Sequence, residues 1–148
     1  MLKKKIKNLK IQELNKKVLK SDKIGFLASK IASSKKFREI VHNFQINCAY
    51  NPPAKFAGSC LDGRDITYKI IPDANIKLFI TANLKVRAKR RYLELKSQNA
   101  KISLKEVTKS IKKRDKNDYN RRISPLKKTN DSILINTSNL TKKACFLK

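Results

Sequence analysis

The sequence has few residues of the kinds that build metal centres, disulfide frameworks or membrane anchors. Its three cysteines, Cys48, Cys60 and Cys145, are odd in number and widely spaced, and His42 is its one histidine. Without a C-x-x-C pair these residues cannot complete a zinc site, so we predict no metal centre and a reduced, cytoplasmic chain. The basic N-terminus has no signal-peptide hydrophobic region, and no apolar run is long enough to span a membrane.

Acidic residues are also scarce. Eleven Asp and Glu stand against 37 Lys and Arg, which gives a formal net charge of +26. Such a balance suggests a polyanionic partner, which could be a nucleic acid, an anionic membrane surface or a phosphorylated small molecule. Most lysines are scattered along the chain, however, which is typical of a solvated surface. A small basic nucleic-acid-binding protein therefore stays open as an alternative function.

The apolar residues that are present predict alternating strands and helices. Short apolar runs indicate strands at 59–63, 76–80 and 131–136, and the continuous run at 76–80 is typical of a strand covered on both faces. Helical spacing recurs over 22–46, with a polar break at 33–36, and again over about 84–98 and 104–122. This alternation predicts an α/β fold with a parallel sheet. Ser103 and Glu106 form a capping box (S-x-x-E) for the last of these helices.

Arginine is the minority cation and is confined to a few places. Eight arginines stand against 29 lysines. Arginine offers a planar fork that binds carboxylate or phosphate through two parallel hydrogen bonds, which lysine cannot do. A lysine-rich chain that keeps arginine in clusters is therefore expected to use that fork. The arginines are Arg38, Arg64, the set Arg87, Arg90 and Arg91, and the set Arg114, Arg121 and Arg122.

One face of the predicted 104–122 helix changes from apolar to charged along its length. Its residues follow each other at spacings of three and four: Leu104, Val107, Ile111, Arg114, Asp118 and Arg121. In one interpretation the stripe simply reaches the surface, where Asp118 bridges its two arginine neighbours. In the other, the helix enters a cleft in which two guanidinium groups meet an anion. The spacing favours neither.

Two further segments carry arginines. The VRAKRRY segment, with Arg87, Arg90 and Arg91, fits a solvated basic face, an RNA contact or a phosphate clamp. The LDGRDIT turn places two carboxylates around Arg64 just after a predicted strand. Loops at the carboxyl ends of parallel strands are where α/β sheets bind ligands. A satisfied turn with an internal salt bridge is the other interpretation, and it is less natural at this location.

Taken in order, these motifs resemble the bacterial cytidylate kinase family. The motifs are LDGRDI, IPDANIKLFITAN, VRAKRRYLEL, IKKRDKNDYNRRISPL and DSILINTSNL, and the resemblance covers about residues 24–141. It implies a P-loop nucleoside-monophosphate-kinase-like fold, a parallel sheet with helices on both faces. It also implies transfer of a phosphoryl group from ATP, with Mg²⁺, to CMP or dCMP. No specific nucleic acid and no membrane partner is implied.

The resemblance also implies roles for individual residues. Contacts with the nucleoside monophosphate are carried over to Ser29, Arg38, Arg64 and Asp65, those near the ribose to Arg114 and Asp118, and those at the acceptor phosphate to Arg121. Closure over the ATP phosphates is carried over to the lid residues Arg87, Arg90 and Arg91. Charge neutralisation by arginine suits a reaction that depends on positioning more than on covalent chemistry.

One family element is missing from the 148 residues. The sequence contains no G-x-x-x-x-G-K-[ST] loop, the P-loop whose backbone N–H groups cradle phosphates. We therefore predict a partial kinase without the first strand and P-loop, and doubt its activity when alone. In this interpretation 1–23 is a basic segment at the end of the nucleotide-binding insert, and 24–148 is a core truncated at both ends. A complete chain is expected to be a monomer, and a truncated one to associate through open sheet edges.

Overall fold

The computed structural model describes residues 24, 27–28, 31, 34–97 and 101–147, so the predicted segment 1–23 lies outside the described residues. Backbone packing divides the chain into two compact units, Met1–Asp62 and Gly63–Lys148. The elements are helices α1 (Lys35–Tyr50), α2 (Leu84–Ser97), α3 (Leu104–Asn120) and α4 (Lys142–Phe146), strands β1 (Leu78–Thr81) and β2 (Ile133–Asn136), and a π-helical turn at Ile66–Ile70, called here the 66–70 turn.

Helix α1 belongs to the first unit. It confirms the helical spacing predicted after the polar break at 33–36, and it continues beyond residue 46 to Tyr50. The backbone N–H of Asn51 donates to the carbonyl of Asn47 at 3.0 Å and closes the last turn. The two prolines that follow lack the N–H groups that a longer helix would need.

The second unit is built around a parallel strand pair. Strand β1 pairs with β2 in parallel, with Leu78 opposite Ile133 and Thr81 opposite Asn136. Parallel neighbours need a long crossover connection, and helices α2 and α3, which pack against each other, lie within it. The predicted α/β class with a parallel sheet is confirmed.

A lysine ties together the starts of the two strands. The Lys77 ammonium group donates to the Pro72 carbonyl at 2.5 Å and pairs with the Asp131 carboxylate. Its side chain is 9% exposed, so the charge is well sheltered beside its partner. The hydrogen bond from Lys77, helped by Thr129, holds the pKa of Asp131 below its usual value.

Two predictions about strands are wrong. Residues 59–63 form no strand, because they run over the surface with mostly exposed side chains and pair with no strand of the described chain. The strand predicted at 76–80 begins at Leu78, and it is not covered on both faces. Leu78 and Ile80 lie on one face and are 45% and 61% exposed, whereas Phe79 and Thr81, on the other face, are half-buried.

Helix α3 starts as the sequence predicts. The Ser103 hydroxyl accepts from the Glu106 backbone N–H, and the Glu106 carboxylate accepts from the Ser103 backbone N–H, so the capping box is complete. Val107 on α3 and Ala88 on α2 are each 1% exposed and form part of the core of this unit. No helix within the described ranges has the length and apolar character needed to cross a membrane.

Candidate functional site

Three arginines surround the carboxylate of Asp118 on α3. Arg64 donates from Nε to Asp118 Oδ2 at 2.9 Å, across 54 residues of sequence. Arg114 Nε and Arg121 Nη1 each lie 3.9 Å from an oxygen of the same carboxylate. The nearest partner of Asp118 is therefore the distant Arg64 and not its neighbours along α3. We call these four residues the Asp118 cluster.

Local structure explains how Arg64 and Arg121 reach the Asp118 cluster. Gly63 lets the chain pass close to the buried Ile66, because an added Cβ would lie 2.9 Å from the Ile66 side chain. Arg64 follows at once and turns toward α3. At the other end, α3 stops at Asn120, short of the predicted residue 122, and Arg121 is the C-cap with an extended backbone at φ −65° and ψ 135°.

The cluster is accessible but partly sheltered from water. Asp118 has 18% of its side chain exposed, Arg121 has 29% and Arg64 has 34%, whereas Arg114 has 68%. Three guanidinium groups face one carboxylate, which leaves two positive charges in excess. An anion that entered here would meet arginine forks in a setting where charge-assisted hydrogen bonds are stronger than in bulk water.

The loop after α3 folds back onto the cluster. The Leu126 backbone N–H donates to the Asp118 carbonyl at 2.7 Å, and the Arg121 Nε donates to the Ser124 carbonyl. Ser124 has a φ of 53°, in the left-handed region that residues with a side chain rarely adopt, and it is buried. We call residues 123–126 the return loop.

The three arginines of α2 form a second arginine group. They line a groove together with Thr137, Lys142 and Cys145. Arg87 forms a bidentate pair with the Asp115 carboxylate, with N–O distances of 2.9 and 2.7 Å, and it also donates to the Ala82 carbonyl at 2.8 Å. The groove thus gathers three guanidinium groups, of which Arg87 is already engaged with α3.

Arg90 fastens the segment after β2 to α2. Its guanidinium donates to the carbonyl of Thr137 at 2.6 Å, to the hydroxyl of the same residue at 3.1 Å, and to the Leu140 carbonyl at 3.1 Å. Arg91 pairs with Glu94 at 3.0 Å on its own helix. Each of these arginines therefore has a protein acceptor in this structure.

The comparisons with known proteins decide the family. The cytidylate kinase family model matches residues 2–146. The chain belongs to the cytidylate kinase family. The match begins well before residue 24, where the sequence motifs alone placed its start. The family match does not support the alternative of a small basic nucleic-acid-binding protein.

Individual cytidylate kinases show how far the similarity extends. A cytidylate kinase of Bartonella henselae is 40% identical over 140 residues, which is 95% of this chain and 63% of that protein. One from Fervidobacterium nodosum is 40% identical over 123 residues, and one from Clostridium botulinum is 44% identical over 113 residues. These matches cover 83% and 76% of this chain, and 54% and 50% of the relatives. The chain thus spans at most about two thirds of the curated cytidylate kinases it matches.

The sequence predicted three other site residues, Asp65, Arg38 and Ser29. Asp65 is buried at the start of the 66–70 turn, and its carbonyl accepts from the Lys69 backbone N–H at 3.0 Å. Arg38 is half-buried on α1, in the first unit. Ser29 lies outside the described residues.

Potential metal ligands are not gathered into a site in the part of the chain that the structure describes. Within the described ranges, no group of three or more His, Cys, Asp and Glu side chains could hold a metal ion. Magnesium in phosphoryl transfer takes many of its ligands from water and substrate phosphates.

Sequence reasoning missed four residues that shape the site. Asp115 follows Arg114 directly in the sequence, and its carboxylate is the bidentate partner of Arg87. Tyr68 donates to the Pro125 carbonyl and Lys69 donates to the Ser124 hydroxyl, and no sequence motif singles out these side chains. Nothing in the sequence indicates a left-handed Ser124, because a residue before proline favours extended backbone.

Proposed function

We propose that this chain supplies the acceptor side of a cytidylate kinase. The full reaction would transfer the terminal phosphoryl group of ATP to the phosphate of CMP or dCMP and give ADP and CDP or dCDP. The observation that carries the proposal is the Asp118 cluster, in which Arg64 from the GRD turn reaches the end of α3. The family match adds support, because the arginines and the aspartate stand in the motifs that carry the resemblance.

The charge of the Asp118 cluster suits a nucleoside monophosphate. A phosphate dianion would balance the excess of two positive charges left by three arginines and one aspartate. Arg121 presents its remaining Nη1–Nη2 edge, since its Nε is occupied by the return loop. A guanidinium edge binds two phosphate oxygens at once, so it fixes the direction of the acceptor as well as its position.

Asp118 would have a second task once nucleotide is bound. Its carboxylate holds Arg64 in place at 2.9 Å in the structure. A carboxylate has about four acceptor sites, so oxygens of Asp118 stay available for the ribose hydroxyls of the nucleotide. In this proposal Arg114 lies beside Asp118 at the ribose, and Arg64 and Arg121 bind the phosphate.

The α2 arginines would act on the ATP side. Arg87 pairs with Asp115, so it would have to exchange that carboxylate for a phosphate oxygen when ATP is bound. Such an exchange couples the position of α2 to the presence of nucleotide, which is how closing elements exclude water. The chemistry is then positioning and charge neutralisation of the transferred group. Mg²⁺, when bound, would neutralise charge on the phosphates.

We propose that this kinase chain acts in the cytoplasm and that its 148 residues alone turn over ATP slowly. The three cysteines are all free among the described residues, as a reducing compartment requires. The sequence contains no P-loop motif, so no backbone cradle for the ATP phosphates can be assigned in it. A coupled assay that follows ADP release with CMP present measures this directly. Turnover of about 10 s⁻¹, an ordinary enzyme rate, would contradict it.

Binding of CMP tests the acceptor site without requiring turnover. Isothermal titration calorimetry should detect CMP, and UMP should bind more weakly. Arg121→Lys keeps the charge but loses the fork, so CMP affinity should fall about tenfold. Arg122→Lys is the matched control, because Arg122 is the exposed neighbour outside the cluster and the change should leave affinity unaltered. Equal effects of the two changes, or no CMP binding at all, would refute the proposed acceptor site.

A further inference from the structure

The return loop is held by two side chains of the 66–70 turn that neither the family motifs nor the proposed reaction uses. The Tyr68 hydroxyl donates to the Pro125 carbonyl at 2.5 Å, across 57 residues of sequence. The Lys69 ammonium group donates to the Ser124 hydroxyl at 2.9 Å, across 55 residues. Both contacts are partly buried, and they clamp the return loop at two adjacent residues.

These two hydrogen bonds hold the return loop at and next to Ser124, the residue of the loop with a positive φ. Ser124 has a φ of 53° and is 5% exposed. A serine in the left-handed region is held there only when its surroundings fix it, because its Cβ crowds the following carbonyl. Lys69 binds the Ser124 side chain and Tyr68 binds the next carbonyl, so together they supply that constraint.

Ser124 in turn fixes a guanidinium of the Asp118 cluster. Its carbonyl accepts the hydrogen bond from Arg121 Nε, and this contact determines how the guanidinium plane is turned. Arg121 Nη1 then lies 3.9 Å from Asp118 Oδ1. If the return loop relaxed to an extended backbone at Ser124, its carbonyl would point elsewhere and Arg121 would lose this restraint.

We propose that Tyr68 and Lys69 are positioning residues that orient Arg121 through the return loop. This inference rests on the proposed function only in assigning the acceptor phosphate to Arg121. The orientation itself is a property of the ligand-free chain. Fixing a guanidinium before binding favours the bound geometry, because less side-chain entropy is then lost when phosphate arrives. Lys69 and Tyr68 would thereby raise affinity for a phosphate without touching it.

The first test measures Arg121 in the chain without nucleotide. Nitrogen-15 NMR resolves arginine Nε–H signals, and Arg121→Lys identifies the one that belongs to Arg121. Lys69→Met and Tyr68→Phe should each speed exchange of this proton with water about fivefold, because a protecting hydrogen bond becomes shorter-lived. Lys69→Arg keeps a donor and should restore slow exchange. The Nε–H of Arg87, bonded to Ala82, should stay unchanged and shows that the variants are folded.

The second test separates the phosphate from the rest of the nucleotide. Lys69→Met should lower affinity for CMP about tenfold and leave that for cytidine unchanged, since Arg121 meets only the phosphate. Lys109→Met removes one exposed lysine of α3 and controls for the loss of charge, and Tyr119→Phe is the matched control for Tyr68→Phe.

The outcomes distinguish the two proposals. Unchanged Arg121 Nε–H exchange in both Lys69→Met and Tyr68→Phe would overturn the positioning role, whatever CMP does. Equal losses for CMP and cytidine would overturn it too, because they would show general damage to the site. A wild-type chain that binds neither compound, yet shows the expected exchange, would refute the proposed acceptor site and leave the orientation of Arg121 by the return loop established.

Discussion

The bidentate pair between Arg87 and Asp115 should be the strongest ion pair between α2 and α3. Its two N–O distances are 2.9 and 2.7 Å, and the side chains are 35% and 31% exposed. Exposed ion pairs contribute about 0.2–1 kcal/mol, and hydrogen bonds to charged groups about 1.5–3 kcal/mol. Because this pair is two-thirds sheltered and doubly bonded, we expect a coupling free energy of about 1.5 kcal/mol between these values.

A double-mutant cycle measures that coupling. Arg87→Ala, Asp115→Ala and the double variant would be unfolded in urea and followed by far-UV circular dichroism. The Arg87 bond to the Ala82 carbonyl is lost in both legs that remove Arg87, so it cancels from the coupling term. The control cycle is Arg91 with Glu94, a single contact on one helix at 3.0 Å, for which about 0.3 kcal/mol is expected. Equal coupling in the two cycles would refute the reasoning and leave Arg87 free for phosphate.

Three further changes test the packing and capping of the second unit. Val107→Ala removes two methyl groups from a side chain that is 1% exposed, and it should lower the unfolding free energy measured in urea by about 2 kcal/mol. The control Leu104→Ala changes a side chain that is 46% exposed and should lower it by under about 0.5 kcal/mol. Similar losses in the two variants would contradict the assigned core. Ser124→Gly and Ser124→Ala both remove the hydroxyl, but glycine accepts a positive φ, so the glycine variant should be about 1 kcal/mol more stable by the same measure, and the reverse order would contradict the left-handed backbone. Hydrogen bonds from Ser103 hold the pKa of Glu106 below its usual value of 4.5. The ionised Glu106 carboxylate therefore stabilises the folded chain above about pH 4.5, and this effect is lost as pH falls through the lower folded pKa. Because glutamine cannot titrate, the stability of the Glu106→Gln variant should fall less steeply in acid than that of the wild type, and parallel pH curves would exclude this contribution.

Local signals predicted the elements of the second unit well. The capping box at Ser103 fixed the start of α3, because both partners lie within one turn of the chain. The apolar runs predicted β1 and β2 to within about two residues, and their parallel pairing followed from the helices between them. The strand predicted at 59–63 failed because a short apolar run becomes a strand only where a partner strand is available, and none of the described strands pairs with it.

The site was only half predictable, for a physical reason. The sparing use of arginine predicted Arg64, Arg87 and Arg121 as site residues, because side-chain chemistry is visible in sequence. Their pairing is not visible, since it depends on how separate elements pack. Spacing along α3 left open whether Asp118 bridges its helix neighbours or lies in an anion-binding cleft, and it gave no sign that Arg64 would be its nearest partner at 2.9 Å. The return loop was missed because its conformation is imposed by contacts from the 66–70 turn.

The parallel strand pair has a consequence for the order of folding. Residue 78 meets residue 133, so this pairing closes a long loop and is entropically slow on its own. Helices α2 and α3 lie inside that loop, and the Arg87–Asp115 contact of their hairpin joins residues 28 apart, so this contact closes a shorter loop than the strand pairing does. Once the hairpin forms, the effective distance between the strands shrinks. By stabilising the hairpin, the Arg87–Asp115 pair would then speed formation of the strand pair. Loss of the ion pair would slow refolding of the sheet as well as weaken the packing of α2 against α3.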